Sequence, residues 1–321
     1  MNLLSWQTPS HTLSSFGTER LNKREGHIMN QRDSLLLVLL MALWGFNFSV
    51  IKLGVNNIDP FLLTALRFTL AVLPLIFFIR RPNVPWRYLM AYGLTFGVGV
   101  WGLTTLSVSA GLSSGLASLL LDMSVISSLL VGRYLLKEQV TVSKVLGSIL
   151  ALIGLGIIIW NQDGTVTVLG LALVLSASVF WSVNGLIVKR SGTREIFAFN
   201  IWGMAFAPVP LLLLAMAVSG PSSVAQSILE INSSVLFSAA FQAYPTTLLG
   251  YWFWNKMIVK YSVSSVAPMT LLVPVFALIG GYLFFGESLD AAQSIAAIVI
   301  LLGVAVSEIK LPKRRVVVKV G

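Results

Sequence analysis

Residues 44–52 read WGFNFSVIK and residues 181–189 read WSVNGLIVK. In each, asparagine follows tryptophan by three positions and lysine follows asparagine by five, and the copies lie 137 residues apart. A second register carries Gly132, Glu138 and Gly154 onto Gly281, Glu287 and Gly303, each displaced by 149. Two ordered triplets mark an internal duplication of about half the chain.

Composition says what the duplicated unit is made of. Of 321 residues, 56% are hydrophobic and 11% charged, and the mean hydropathy is +0.86. That much apolar surface cannot be hidden in a domain that also presents a charged shell, so the expected solvent is lipid. Apolar stretches of about 20 residues, enough to cross a bilayer as helices, fall at 35–54, 60–79, 88–109, 114–136, 142–160, 167–188, 196–218, 233–254, 263–286 and 291–309. Turn-like NNIDP, GLSSG, NQDGT and SGPSS separate several of them. Each repeat then holds an odd number of spans, so the second enters the membrane upside down relative to the first. The expected fold class is an all-α integral membrane protein of ten transmembrane helices in two inverted-topology five-helix repeats. The repeats run 29–160 and 161–309, with a basic tail at 310–321. Residues 1–28 lack the apolar core of a signal peptide. They read either as a start assigned too early, since Met29 opens MNQRDSLLLVLL, or as a polar extension.

Charge fixes the orientation. Arg80, Arg81, Arg87, Arg133, Lys137, Lys144, Lys189, Arg190, Arg194, Lys256, Lys260 and the five basic residues of the tail all fall on one side. Asp59, Asp163, Glu230, Glu287 and Asp290 fall on the other, with Lys52 the basic exception. The positive-inside bias places both termini in the cytoplasm. It also accounts for the net charge of +10 without a nucleic-acid partner.

The residue inventory narrows the chemistry. With no cysteine, disulfides, thiol nucleophiles and thiolate metal sites are excluded. His11 and His27 precede the first span, which removes intramembrane histidine relays and histidine–metal sites. No catalytic set, metal site or cofactor is expected, and no Walker A sequence or selectivity-filter loop occurs.

What remains is a short set of polar groups at membrane depth. Arg67 and Asp122 are the ionisable residues well inside spans, each about 10–12 Å from the outer end by helical rise. Such residues are costly in lipid and face a partner or a cavity. Two readings stand: an ion pair pinning span two to span four, or a cavity carboxylate at Asp122 that takes a substrate amine or a proton. Trp44 with Asn47, and Trp181 with Asn184, form i, i+3 pairs whose depths converge on the bilayer centre. They line a substrate cavity there, with the indoles offering a π face to a cation, or the asparagines bond neighbouring helices. Trp101 and Thr104 in span three, and Gln242 and Tyr244 in span eight, are further candidates. Pro268 and Pro274 imply a hinge or kink in span nine. Spans five and ten carry no central polar group and are expected at the periphery, packed through glycines.

WGFNFSVIK, LRF at 66–68, GLASLLL at 115–121, SLLVGRYLLKE at 128–138 and VAPMTLLVPVFALIGGYLFFGESL at 266–289 resemble the EamA family of the drug/metabolite transporter superfamily. The likeness covers about residues 30–310 and is nearest in pattern to bacterial exporters of cysteine-pathway metabolites such as O-acetylserine. It departs at Asp122, where that exporter pattern carries an uncharged glutamine. The resemblance implies ten helices in two inverted halves, an inner-membrane location and efflux of small amphipathic metabolites. Export without an ATP-binding motif needs a driving ion, and Asp122 makes the proton the expected one, with amino acids or related small metabolites as the expected cargo. Small-cation or drug efflux is the alternative, and a homodimer is left open. A membrane enzyme is disfavoured.

Overall fold

The computed structural model describes residues 30–135, 142–160, 167–261 and 266–308, and every element among them is helical. Glu138, Asp163 and the two terminal segments of the sequence reading lie outside the described residues. The elements are α1 (Gln31–Val55), α2 (Pro60–Ile76), α3 (Trp86–Ser109), α4 (Ser114–Leu121), α5 (Ser124–Leu135), α6 (Val142–Trp160), α7 (Val168–Ser191), α8 (Ile196–Ser219), α9 (Pro221–Leu229), α10 (Ser233–Met257), α11 (Leu272–Phe285) and α12 (Ala291–Glu308). By length and apolarity α1, α3, α7 and α8 can each cross a membrane. A fifth span arises if α9 and α10, bent by 97° at their junction, count together. Apolar stretches within α2, α6, α11 and α12 are shorter.

Local chemistry starts and stops these helices. Asp59 caps α2 by accepting from the N–H groups of Phe61 and Leu62, both at 2.9 Å, and Pro60 fits the first turn, where no N–H is needed. Ser113, Thr167 and Asn232 cap α4, α7 and α10 in the same way. Gly192 and Gly286 close α7 and α11 with φ of 64° and 63°, a backbone that suits glycine at a helix C-terminus.

Several helices depart from ideal winding where the molecule's interior lies. The middle of α3, Leu94–Gly102, is π-helical, and so is Gln242–Leu249 in α10. In α10 the cause is Pro245, whose missing N–H leaves the Phe241 carbonyl unbonded. The Thr246 hydroxyl donates within reach of that carbonyl (2.9 Å) and of Gln242 O, and the Thr247 hydroxyl donates to Gln242 O at 2.7 Å. Hydroxyls therefore satisfy carbonyls that the widened turn releases. Between α4 and α5 the helix breaks at Asp122–Met123, and a 3₁₀ turn, Ala267–Leu271, precedes α11. Pro268 lies in that turn and Pro274 in the first turn of α11, so the expected break in span nine is present while neither proline interrupts a regular helix interior. The break beside Asp122 was not expected.

α1 packs against α11, and α7 packs against α3 and α5. α6 lies along α12, where a Cβ at Gly147 would meet Gly303 and one at Gly154 would meet Ile300. The expected glycine packing is thus present. α12 is less peripheral than expected, because Val304 and Ser307 reach the central cavity.

Candidate functional site

The central cavity has a volume of about 430 Å³, within the range of small-molecule sites. Trp44, Asn47 and Phe48 of α1, Arg67 of α2, Trp101 of α3, and Ser118, Leu121, Asp122 and Ser124 around the α4–α5 break line one part of its wall. Trp181 of α7, with Thr246, Tyr251 and Trp254 of α10, lines another, together with Thr270, Val273, Val304 and Ser307.

Aromatic rings line this wall and, through Phe96 behind it, contact one another. Trp44 meets Tyr251 at 5.5 Å and Trp254 at 5.6 Å between centroids; Phe96 meets Tyr251 at 5.8 Å, Trp181 at 6.2 Å and Trp101 at 6.3 Å. The two duplicated tryptophans are therefore linked through Tyr251 and Phe96. Gly250 makes room for one of them: a Cβ there would meet Trp44 Nε1.

Of the two readings of Arg67 and Asp122, the ion pair is not formed. Arg67 is fully buried, and its Nη2 and Nε donate to Thr247 Oγ1 at 3.0 and 3.3 Å, while Nη1 donates to Gln242 Oε1 at 3.5 Å. Its guanidinium lies 4.0 Å from the Trp101 ring centroid. Thr247 and Gln242 belong to the π turn of α10, whose geometry sets where the charge sits. Asp122 caps the broken end of α4, and its Oδ2 is buried without a hydrogen-bond partner.

The duplicated asparagines share one kind of partner. The Thr246 hydroxyl reaches Asn47 Oδ1 at 3.4 Å, and the Thr95 hydroxyl donates to Asn184 Oδ1 at 3.0 Å. Each threonine sits in a π turn. Trp44 adds a bond from its Nε1 to Thr246 O at 2.9 Å. Asn47 also lines the cavity, whereas Asn184 is not part of its wall. Gln242 stands behind the wall, holding Arg67 and donating to Ser238 Oγ at 3.0 Å. Tyr244 is 41% exposed and also lies off the wall. Thr104 is fully buried and likewise off it.

Sequence reading missed Phe48, Ser118, Thr246, Tyr251 and Trp254. The usable signal was Pro245 beside paired threonines in an apolar run, which marks a re-registered backbone. It also missed a second cluster at one end of the bundle. There Lys52 Nζ lies 2.5 Å from Glu287 Oε1, and Glu287 accepts from Ser114 N at 3.0 Å and from Ser114 Oγ at 2.8 Å. One carboxylate thereby joins the end of α1 to the start of α4, just beyond α11. Burial raises the Glu287 pKa, but the Lys52 and Ser114 bonds outweigh it, and the net shift is downward.

Comparison with known proteins assigns the family. Residues 33–160 and 168–308 each match the EamA-like transporter family. A protein of Salmonella typhimurium named "Probable amino-acid metabolite efflux pump" is 31% identical over 285 residues, covering 87% of this chain and 95% of its own. Its namesake from Escherichia coli is 30% identical, covering 91% and 100%. An uncharacterized transporter of Archaeoglobus fulgidus is 26% identical, covering 84% and 96%. A solved crystal structure shares the fold with a TM-score of 0.56 at 17% identity, over 87% of this chain and 97% of the other. With two family matches spanning most of its length, the chain belongs to the EamA-like transporter family and is a multi-pass membrane transporter.

Proposed function

We propose that this transporter is an inner-membrane secondary exporter of amino acids or related small metabolites, working by proton-coupled alternating access. In this reading ten membrane helices form two inverted halves with both termini in the cytoplasm. The observation that carries it is a single cavity walled by residues of both family-matching segments, at the level where each half leaves regular helix. Paired interruptions in corresponding places are the mark of a substrate site in inverted-repeat carriers. Here the π turn of α3 corresponds to that of α10, and the Asp122 break to the turn before α11.

The charge-derived orientation puts the Lys52–Glu287 pair on the outer side. Trp254, Thr270 and Ser307 then approach the cytoplasmic side, as a carrier facing inward requires. Asp122 is the cavity's carboxylate and the group suited to carry a coupling proton, since arginine stays charged. The names of the relatives from Salmonella and Escherichia support amino-acid metabolites as cargo. A lipophilic cation is the second reading, favoured by the aromatic wall beside one carboxylate.

Reconstituted protein tests both readings. Wild type in proteoliposomes should accumulate amino acid when a pH gradient is imposed, and Asp122→Asn should abolish that drive at normal insertion levels. Full pH-driven transport by Asp122→Asn contradicts the coupling assignment. Movement of cationic dyes with no amino-acid flux favours the second reading.

A further inference from the structure

Arg67, a fixed cation, and Asp122, a group that can be an anion, line one cavity, and neither has an opposite charge beside it. Arg67 has no carboxylate within ion-pairing distance among the described residues, and Asp122 has no basic one. Burying a charge without a counter-charge is unfavourable, and the obvious remedy would be for the two to pair. The fold prevents this on one side. Thr247 and Gln242 hold the guanidinium from the second half of the chain, and Trp101 stacks against it at 4.0 Å. These contacts use only part of the guanidinium's donor set, and the remaining N–H groups have no partner among the described residues. On the other side, Asp122 Oδ2 is buried and unbonded at a helix break.

An occupant that neutralises both must carry an anion at one end and a cation at the other. A planar fork of N–H donors is complementary to a carboxylate, and a carboxylate is complementary to an ammonium. We propose that Arg67 and Asp122 form a zwitterion clamp: Arg67 binds the α-carboxylate of an amino-acid substrate and Asp122 its α-ammonium. The rings of Trp44, Trp181 and Tyr251 receive the side chain. The assignment rests on the exporter reading and adds what that reading leaves open, namely which groups of the substrate are read and by which residues. It also explains coupling without a second site. A proton on Asp122 removes the ammonium's partner, so proton and substrate exclude each other at one carboxylate.

The test is counterflow in proteoliposomes with a panel of labelled L-amino acids: small polar, aliphatic and aromatic. For the one carried best, competition is then measured with its carboxamide, which lacks the carboxylate, and its N-acetyl derivative, which lacks the ammonium. Each should compete more weakly than the parent by about tenfold or more, the worth of a hydrogen-bonded charge contact. Arg67→Gln should weaken the parent but leave the carboxamide unchanged, and Asp122→Asn should do the same for the N-acetyl derivative. Should Arg67→Gln fail to fold, the wild-type comparison still decides. Equal competition by either derivative overturns the clamp while leaving the exporter reading intact. Absence of any amino-acid counterflow overturns both.

Discussion

Asn47 and Asn184 occupy matching places in the two sequence copies, and the side-chain amide of each lies within hydrogen-bonding reach of a threonine hydroxyl in a π turn of the other half. Only Asn47 also touches the cavity. The same residue type at the same register therefore plays two parts, and the expected consequences differ. Asn184→Ala should lower the amount of folded protein and the flux together, at a cost of about 0.6–2 kcal/mol for a lost interhelical bond. Asn47→Ala should lower flux per folded molecule by more than it lowers abundance. Transport assays normalised to detergent-extracted protein distinguish the two, and identical behaviour of both variants would contradict the assignment. Trp44, Asn47, Arg67, Trp101, Asp122 and Trp181 were all legible in sequence as polar or aromatic groups stranded in apolar runs, and all line the cavity. Tyr251 and Trp254 were not, because near the end of a helix a wall-facing aromatic and a lipid-facing one look alike.

At the level of elements, the departures from α-helix are what shape the site. Pro245 forces one of them, and its effect could be reasoned from chemistry. The break at Asp122 could not, since GLASLLLDMSVISSLL contains no proline or central glycine to announce it. The ion pair at the opposite end was half visible: Lys52 stood out as a basic residue among acidic loops, yet its partner lies 235 positions away. That pair ties α1, α4 and the end of α11 together at one end of the bundle. Because the Glu287 pKa is lowered in the folded protein, its stabilising contribution is complete above the ordinary carboxylate range. It is lost as pH falls through the lowered value. If this joint is what shuts the cavity off at this end, that barrier should hold at neutral pH and loosen only in distinctly acid solution. A cysteine at Phe48→Cys, on the cavity wall one helical turn from Lys52, should react slowly at neutral pH with an impermeant thiol reagent added from the side on which the proposed orientation puts this pair. Reaction should quicken with Lys52→Gln or Glu287→Gln, and at acid pH it should quicken relative to a freely exposed control cysteine, since the thiolate that reacts becomes scarcer for both. Unchanged reactivity would mean that the pair is not what closes this end.

For the whole molecule, the duplicated sequence, the paired helix interruptions and the shared cavity describe one design. Each half supplies what the other lacks: Thr246 and Thr247 of the second half hold Asn47 and Arg67 of the first, and Thr95 of the first holds Asn184 of the second. Membrane character and repeat structure were legible because they are written in composition and register, which need no tertiary knowledge. The partner of Arg67 was not, because two deep opposite charges at equal height invite pairing until the π turn offers the guanidinium other acceptors. The central claim is that the substrate occupies this cavity. The chain has no cysteine, so Ser124→Cys, on the cavity wall beside the α4–α5 break, would carry the molecule's single thiol. Its rate of modification by a small hydrophilic thiol reagent should fall in a saturable way as a transported amino acid is added, with half-protection near the concentration that half-saturates counterflow. A rate unaffected by saturating substrate would place the substrate elsewhere and contradict the account.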